Sequence, residues 1–303
     1  MPTDPAPFSI PAVDPDTYLP GRLKNKVMLV TGAAIGSIGG CTAIRGAREG
    51  ALVVCVDKKE KELAATVEAI SQAGGRAIAV KADISLPAEA DRTVTEAVRA
   101  FGGLDLVLNA AGVMDGTDPA AAQDFDNQGG LLPASIHAAT DEYWHAVFGA
   151  NIHGMFYCMR AQLRQMLAQG RGGSIVNIGS IAAITGLPGN VAYSASKHAV
   201  VGITRNAAID YAPHGIRVNS VHMAQTDTPM VFRAYEFVKW MMEKGGGSGM
   251  AGGKSQSLLQ AADGEKRGST PWEQAASILF LLSDDASNIT GATYATDGGW
   301  TAY

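Results

Sequence analysis

Short apolar runs alternate with longer amphipathic segments from Lys26 onward. Strands buried in a parallel sheet give near-continuous apolar runs, whereas helices that cover such a sheet place apolar residues three and four positions apart. The runs typical of strands are Val27–Thr31, Leu52–Val56, Ala77–Ala82, Leu104–Asn109, Ser174–Ile178, Arg217–Val221 and Thr293–Thr296. This alternation predicts one doubly wound α/β domain, a parallel seven-stranded sheet with helices on both faces.

Three amphipathic segments between these runs predict helices. One lies near Gly40–Glu49 and ends at Gly50, because glycine suits the left-handed position that follows a helix. A second extends from an N-cap at Thr140 over Asp141–Ala168, and a third covers Tyr193–Tyr211. Residues 1–24 are rich in proline and lack periodicity, so we expect an extended arm before a domain that spans residues 25–303.

Two insertions, at about 113–139 and 232–268, interrupt this rhythm. The first is rich in Gly, Pro, Asp and Asn. The second begins with aromatic residues and methionine and continues into the glycine-rich stretch Gly245–Gly253. Both follow the carboxyl ends of predicted strands, where ligands bind in open α/β sheets. The second insertion is therefore predicted to be a lid over a substrate, with a flexible insertion as the alternative.

Composition narrows the class of protein. A net charge of −5 argues against a nucleic-acid partner, and no apolar stretch is long enough to span a membrane. The N-terminus lacks the basic start and apolar run of a signal peptide, which predicts a cytoplasmic protein. Cys41, Cys55 and Cys158 fit reduced structural thiols, and no His/Cys cluster suggests a metal site.

The glycine-rich turn after the first strand indicates a dinucleotide site. Val27–Thr31 leads into Gly32-Ala33-Ala34-Ile35-Gly36-Ser37-Ile38-Gly39, where glycines allow close approach to a pyrophosphate and a helix N-terminus faces it. Asp57 ends the next strand, where a carboxylate accepts hydrogen bonds from a ribose and repels a 2′-phosphate. This predicts NAD over NADP, a preference that Lys58 and Lys59 would weaken.

Tyr193 and Lys197 lie four residues apart in a predicted helix, so they share one helix face. An ammonium beside a phenol favours the phenolate, and the pair therefore predicts a tyrosine with a lowered pKa that serves as acid and base.

Together these motifs resemble the short-chain dehydrogenase/reductase family of the Tyr-x3-Lys type, from about Lys26 to the C-terminus. Further matching segments are Ala82-Asp83-Ile84, Asn109-Ala110-Ala111-Gly112, Ser180 after a strand, Thr228 before Pro229, and Thr296-Asp297-Gly298-Gly299. The resemblance implies a Rossmann fold with the catalytic residues Asn151, Ser180, Tyr193 and Lys197. It implies cofactor contacts from Gly32, Gly36, Ser37, Ile38, Asp57, Asp83, Ile84, Asn109, Ala110, Gly112, Tyr193, Lys197, Thr226 and Thr228.

Two segments depart from the family pattern. Gly36 and Gly39 are three residues apart instead of two, so the turn carries one extra residue and the phosphate contacts are in question. Met223-Ala224 stands where the family has Pro-Gly, and the nicotinamide side of the site is expected to differ there. His222 precedes this pair and is interpreted as a loop residue near the cofactor.

By this resemblance, the protein is expected to exchange a hydride between NAD and a secondary alcohol or its ketone. The aromatic and methionine residues of the second insertion favour an apolar substrate that is cyclic, terpenoid, steroid-like or aromatic. Two alternatives remain open: an NADP-dependent 3-oxoacyl-type ketoreductase and a non-catalytic NAD-binding sensor. The helices carrying Asn151 and Tyr193 have apolar residues to spare, so a homo-oligomer, dimer or tetramer, is expected as well.

Overall fold

A computed structural model describes residues 9–245 and 256–302 of the chain. In these ranges every neighbouring pair of strands in the single sheet is parallel, and the strand order is β3-β2-β1-β4-β5-β6-β7. The strands are β1 (Val27–Thr31), β2 (Leu52–Asp57), β3 (Arg76–Lys81), β4 (Leu106–Asn109), β5 (Gly173–Ile178), β6 (Ile216–Met223) and β7 (Thr293–Thr296). The predicted seven-stranded, doubly wound fold is confirmed.

Helices cover both faces of this sheet. They are α1 (Ile38–Arg48), α2 (Glu60–Gln72), α3 (Pro87–Phe101), α4 (Asp141–Phe148), α5 (Gly154–Gln169), α6 (Val191–Tyr211), α7 (Pro229–Glu243), α8 (Leu258–Ala262) and α9 (Pro271–Leu282). One apolar core joins the sheet to α3, α5 and α6, and a second joins it to α1, α2 and α9. Strand β2 shows how the sequence builds both: Val54 and Val56 enter the first core, while Val53 and Cys55 enter the second.

The helix predicted over Asp141–Ala168 is interrupted. A π-helical turn, Gly149–His153, separates α4 from α5. Such single-turn bulges occur often at functional sites, and this one contains Asn151. The N-cap at Thr140 is confirmed, since its hydroxyl accepts from the N–H of Tyr143.

Strand ends also differ from the prediction. β4 begins at Leu106 instead of Leu104, because the side chain of Gln169 bonds both the N–H and the carbonyl of Leu104 in place of a neighbouring strand. β6 extends to Met223, because its last residues pair with β7. This extension carries His222 into the sheet, so it is not a loop residue.

The N-terminal arm is described from residue 9, since residues 1–8 lie outside the described ranges. It packs along α1, where Arg22 and Arg45 both bind the fully buried carboxylate of Glu49. Farther along the arm, the N–H of Ile10 donates to Asp263 at 2.9 Å. Of the glycine-rich stretch Gly245–Gly253, the residues after Gly245 also lie outside the described ranges.

Within the described ranges, no helix combines the length and apolarity that crossing a membrane requires. Cys41, Cys55 and Cys158 are buried free thiols, and burial raises the pKa of each to about 12. Thiols with such a raised pKa are poor nucleophiles and metal ligands near neutral pH.

Candidate active site

A cavity of about 1260 Å³ lies at the carboxyl ends of the strands. Most of the residues predicted to form the site line it: Gly32, Ser37, Ile38, Asp57, Asp83, Ile84, Ala110, Gly112, Ser180, Tyr193, Lys197, Thr226 and Thr228. Three predicted residues, Gly36, Asn109 and Asn151, are not part of its wall. The sequence motifs therefore converge on one cavity, with the side chains of Asn109 and Asn151 placed behind its wall.

The glycine turn forms a narrow cradle at one end of the cavity. Gly32 has a φ of +70°, and a Cβ there would lie 2.7 Å from the backbone nitrogen of Ala111. A Cβ on Gly39 would lie 2.3 Å from the carbonyl oxygen of Gly32. Gly39 thus allows the close helix–strand approach expected of the third glycine. It was absent from the predicted site, although its place in the turn was a usable signal.

Ser37 accommodates the extra residue of the turn. Its backbone is extended, and its hydroxyl accepts from the N–H of Gly40 at 2.9 Å, so it is the N-cap of α1. The helix begins at Ile38, and its first turn contains no acidic residue. Gly36 supplies a left-handed turn with a φ of +77° and faces open space. A helix N-terminus without acidic side chains, above a glycine cradle, fits the pyrophosphate of a dinucleotide.

Asp57 lies at the carboxyl end of β2 beside this cradle. Its carboxylate accepts from the N–H groups of Ala34, at 3.1 Å, and Lys59, at 2.9 Å. Burial raises the pKa of this carboxyl, while those two hydrogen bonds act in the opposite direction. The two bonds fix the carboxylate at the cavity wall, where a ribose diol fits as a hydrogen-bond donor.

Asn109 is placed differently from the prediction. Its side chain points into the protein and exchanges hydrogen bonds with Gln162, and it also donates to Asn177 at 3.0 Å. Asn109 is 2% exposed, so its amide supports the end of β4 from within the core. Ala110 and Gly112, just beyond it, form the wall of the cavity.

Asn151 also acts from behind the wall. Its side-chain oxygen accepts from the N–H of Val113 at 2.8 Å, and its amide donates to the Val113 carbonyl at 2.9 Å and to Ser196 at 3.0 Å. These bonds tie the start of the first insertion to α6. A Cβ on Gly112 would lie 3.0 Å from the Asn151 side-chain oxygen and 3.6 Å from the Lys197 ammonium, so the three groups are closely packed.

Ser180, Tyr193 and Lys197 meet at the other end of the cavity, and each is 8% exposed or less. The ammonium of Lys197 lies 5.6 Å from the centre of the Tyr193 ring and donates to the Ile178 carbonyl at 3.0 Å. A hydrogen bond from Ser180 lowers the pKa of Tyr193, but burial has the larger effect and the net direction is upward.

The expectation of a lowered tyrosine pKa is therefore wrong for the protein alone. Burial affects the neighbouring ammonium even more clearly, because it lowers the pKa of Lys197 to about 8. Desolvation disfavours both the phenolate and the ammonium. The neutral phenol of Tyr193 is thus the favoured form at neutral pH, which suits a proton donor.

The His222 ring packs against the backbone of Ser180. The ring is fully buried, with Nδ1 3.1 Å from the Ser180 carbonyl oxygen and 3.4 Å from the Ser180 nitrogen. Its Nε2 lies 2.8 Å from the hydroxyl of Ser220. A Cβ on Gly179 would lie 2.3 Å from the imidazole, so glycine is required for this packing. Burial lowers the pKa of His222, consistent with a neutral ring that positions the backbone of Ser180.

Thr226 and Thr228 line the cavity where β6 gives way to α7. Thr228 is the N-cap of α7, with Pro229 in its first turn, and Thr226 pairs with Ser269 at 2.9 Å. Met223, which replaces the usual proline, is 6% exposed and continues β6 as an ordinary strand residue.

The two insertions meet over the cavity, which the sequence did not predict. Arg233 of α7 forms an ion pair with Asp115 at 3.0 Å and bonds Thr117. Phe125 packs against Phe237 and Trp240, with ring centres 5.6 and 5.7 Å apart. Asp115 and Arg233 also line the cavity. The charged side chain of Arg233, at the start of the aromatic second insertion, was the available sequence signal.

Comparison with known proteins agrees with this arrangement. The family model described as short chain dehydrogenase matches residues 26–238. A 3beta-hydroxysteroid dehydrogenase of Mediterraneibacter gnavus is 37% identical over 94% of this chain and 98% of its own length. A cyclohexanol dehydrogenase of an Acinetobacter species is 35% identical over 95% and 99%.

A solved structure shows the same fold. The short chain dehydrogenase from Mycobacterium paratuberculosis bound to NAD superposes with a TM-score of 0.77 at 29% identity, covering 93% of this chain and all of the other. The glycine cradle, the carboxylate after β2 and the Ser-Tyr-Lys group all lie in the matched region. The chain therefore belongs to the short-chain dehydrogenase/reductase family of NAD(P)-dependent oxidoreductases.

Proposed function

We propose that this protein interconverts an apolar, cyclic secondary alcohol and its ketone with NAD as the cofactor. One observation carries the proposal: a single cavity joins Ser180, Tyr193 and Lys197 at one end to Asp57 and the glycine cradle at the other. A nicotinamide dinucleotide, when bound there, supplies the hydride acceptor or donor.

The protein's own residues then handle the proton and the substrate oxygen. In ketone reduction, Tyr193 donates its phenolic proton to the carbonyl oxygen, and in alcohol oxidation it takes that proton back. The Ser180 hydroxyl donates a hydrogen bond to the same oxygen and stabilises its developing charge. Lys197, fixed by the Ile178 carbonyl, favours the phenolate electrostatically once the proton has left.

Asn151 is assigned a supporting role. Its side chain is fully engaged with Val113 and Ser196. It therefore holds the wall beside Lys197, and its π-helical turn supplies backbone groups outside the regular helical pattern.

The preference for NAD follows from Asp57. A carboxylate fixed by two backbone N–H groups accepts from a 2′-hydroxyl but repels a 2′-phosphate. Gly32, Ser37, Ile38, Ala110 and Gly112 form the adjacent wall for the dinucleotide backbone.

The substrate proposal rests on the wall beyond Ser180 and Tyr193. Val113, Met114, Met230, Phe232 and Phe237 give this region a mainly apolar lining. The names of two relatives point to ring alcohols, since one is a hydroxysteroid dehydrogenase and the other a cyclohexanol dehydrogenase. A ring alcohol with little charge matches that lining better than an anionic acyl carrier.

The test is the absorbance of reduced nicotinamide when purified protein is mixed with NAD⁺ or NADP⁺ and a panel of cyclic, steroid, terpenoid and aromatic alcohols. We expect NAD⁺-dependent signal that is lost in Tyr193→Phe. Signal restricted to NADP⁺, or reduction of 3-oxoacyl substrates only, would favour the ketoreductase alternative and contradict the proposal.

We further propose that the protein forms homo-oligomers through α5 and α6. Phe156 and Ile209 on these helices are 48% and 75% exposed, which is unusual for large apolar side chains. Light scattering coupled to size-exclusion chromatography tests this by measuring the mass in solution. We expect Ile209→Lys to shift that mass toward the monomer. A monomeric mass for both the wild type and the variant would contradict the proposal.

A further inference from the structure

Lys58 is held between two carboxylates from different parts of the chain. Its ammonium lies 3.3 Å from Asp83, just after β3, and 3.4 Å from Asp118, in the first insertion. All three residues line the cavity beside Asp57. The insertion therefore reaches past the substrate region and contacts the adenosine end of the site.

The two carboxylates favour the charged form of Lys58 and balance its positive charge. Burial alone lowers the pKa of Lys58, but Asp83 and Asp118 outweigh that effect and the net direction is upward. Lys58 correspondingly contributes to lowering the pKa of Asp83 and of Asp118. The ammonium is thus already paired before any phosphate approaches.

An unpaired lysine in this place would attract a 2′-phosphate. It directly follows Asp57, whose carboxylate is the proposed partner of the adenosine ribose, and a cation beside that ribose favours a phosphorylated sugar by simple attraction. Asp83 and Asp118 together offset this attraction, and with Asp118 present the three side chains carry a net charge of −1.

We propose that Asp118 is a specificity-determining residue, which compensates Lys58 and thereby strengthens discrimination against dinucleotides that carry a 2′-phosphate. The first insertion then contributes to both ends of the cavity. Asp115 forms an ion pair with Arg233 of α7 beside the proposed substrate region, and Asp118 lowers the net positive charge beside the proposed adenosine site. This inference rests on the proposed use of NAD at this cavity.

The test measures binding directly, by fluorescence titration of NADH and NADPH. In Asp118→Asn we expect the NADPH dissociation constant to fall by about threefold to tenfold, with the NADH constant changed by less than about twofold. The effect is modest because the three side chains are 36–51% exposed and screened by solvent. Added salt is expected to reduce the difference.

The matched control is Asp124→Asn. It removes a carboxylate from the same insertion, but Asp124 is not part of the cavity wall and bonds Asn127 instead. An equal gain in NADPH affinity in both variants would overturn the proposal, because it would reflect the net charge of the protein alone.

A double-mutant cycle tests whether Asp118 acts through Lys58. In a Lys58→Ala background, Asp118→Asn is expected to lose most of its effect. An undiminished gain in that background would mean that Asp118 repels the phosphate directly, and the inference about Lys58 would fall.

Failure of the proposed function is distinguishable from failure of this inference. The wild-type ratio of NADPH to NADH dissociation constants tests the preference for NAD. The change in that ratio caused by Asp118→Asn tests the role of Asp118. If the wild type prefers NADPH and Asp118→Asn binds NADPH still more tightly, the preference for NAD is refuted and the role of Asp118 is supported.

Discussion

The two ends of the cavity differ in how their lysine side chains are buried and paired. At the catalytic end, Tyr193 and Lys197 are 8% and 5% exposed, and no carboxylate in the described residues forms an ion pair with that ammonium. At the adenosine end, Lys58 is partly exposed and shared by two carboxylates. Substitution of a buried charged group without an ion-pair partner changes the free energy of folding or binding strongly, whereas a single exposed ion pair contributes little to it. We therefore expect large effects at the catalytic end and graded ones at the other.

Loss of the tyrosine hydroxyl tests the catalytic end most severely. Tyr193→Phe is expected to lower kcat by about a thousandfold or more, because Tyr193 is the group proposed to exchange a proton with the substrate oxygen. NADH binding, measured by fluorescence, is expected to stay close to wild type. Tyr157→Phe on α5 is the control, as Tyr157 does not line the cavity. Comparable turnover in Tyr193→Phe and wild type would remove Tyr193 from the mechanism.

The buried ammonium is predicted to destabilise the fold that contains it. Burial lowers the pKa of Lys197 from 10.5 to about 8, so the unfolded chain binds more protons between those pH values. The free energy of unfolding of the wild type should therefore rise as pH increases from about 8 to about 10.5. Below pH 8 it should be lower by up to about 3 kcal/mol than above pH 10.5.

Lys197→Met removes that charge while keeping an apolar side chain of similar length. We expect a higher Tm at neutral pH, loss of the alkaline rise in stability, and loss of turnover. Thermal unfolding across pH measures this, with the exposed Lys61→Met as control. A lower Tm at every pH would show that the bond to the Ile178 carbonyl outweighs desolvation.

Asp57 is the strongest determinant expected at the adenosine end. Asp57→Asn should raise the NADH dissociation constant by about tenfold, since a hydrogen bond to a charged group contributes roughly 1.5–3 kcal/mol. It should also narrow the difference between NADH and NADPH. The exposed Asp210→Asn is the control. An unchanged preference in Asp57→Asn would separate Asp57 from the ribose.

The contact between the insertions gives the smallest expected effect. Arg233→Met breaks the ion pair with Asp115 and the bond to Thr117 but keeps an apolar stem. We expect the KM for the alcohol to rise about threefold to tenfold with little change in kcat, because the pair holds the substrate wall and not the reacting atoms. Lys239→Met on the same helix is the control. A fall in kcat alone would contradict this role.

The sequence predicted what depends on local pattern. Strand periodicity located the sheet, and the spacing of Tyr193 and Lys197 indicated a pair that the fold places together beside Ser180. Both signals are local, because neighbouring residues on one strand or helix determine them. The N-cap at Thr140 was readable for the same reason.

What the sequence did not reveal depends on contacts between distant segments. Asn109 was expected in the cofactor wall, but its amide bonds Gln162, which lies 53 residues later. Arg233 reaches Asp115 across 118 residues, and no local pattern records that pairing. The pKa of Tyr193 was predicted with the wrong sign because a neighbouring charge is visible in sequence, whereas desolvation requires the complete fold.

The N-terminal arm has a consequence for how the protein is made. Ile10 bonds Asp263 and also accepts from Arg267, partners that are synthesised more than 250 residues later. At about 5–20 residues per second, the ribosome needs roughly 13 to 50 s to produce Asp263 after Ile10 has been added. Strands β1 to β6 are complete before then, so docking of Ile10 is a late event in biosynthesis. Shortening the arm should accordingly leave early sheet assembly intact and affect the last stage of folding.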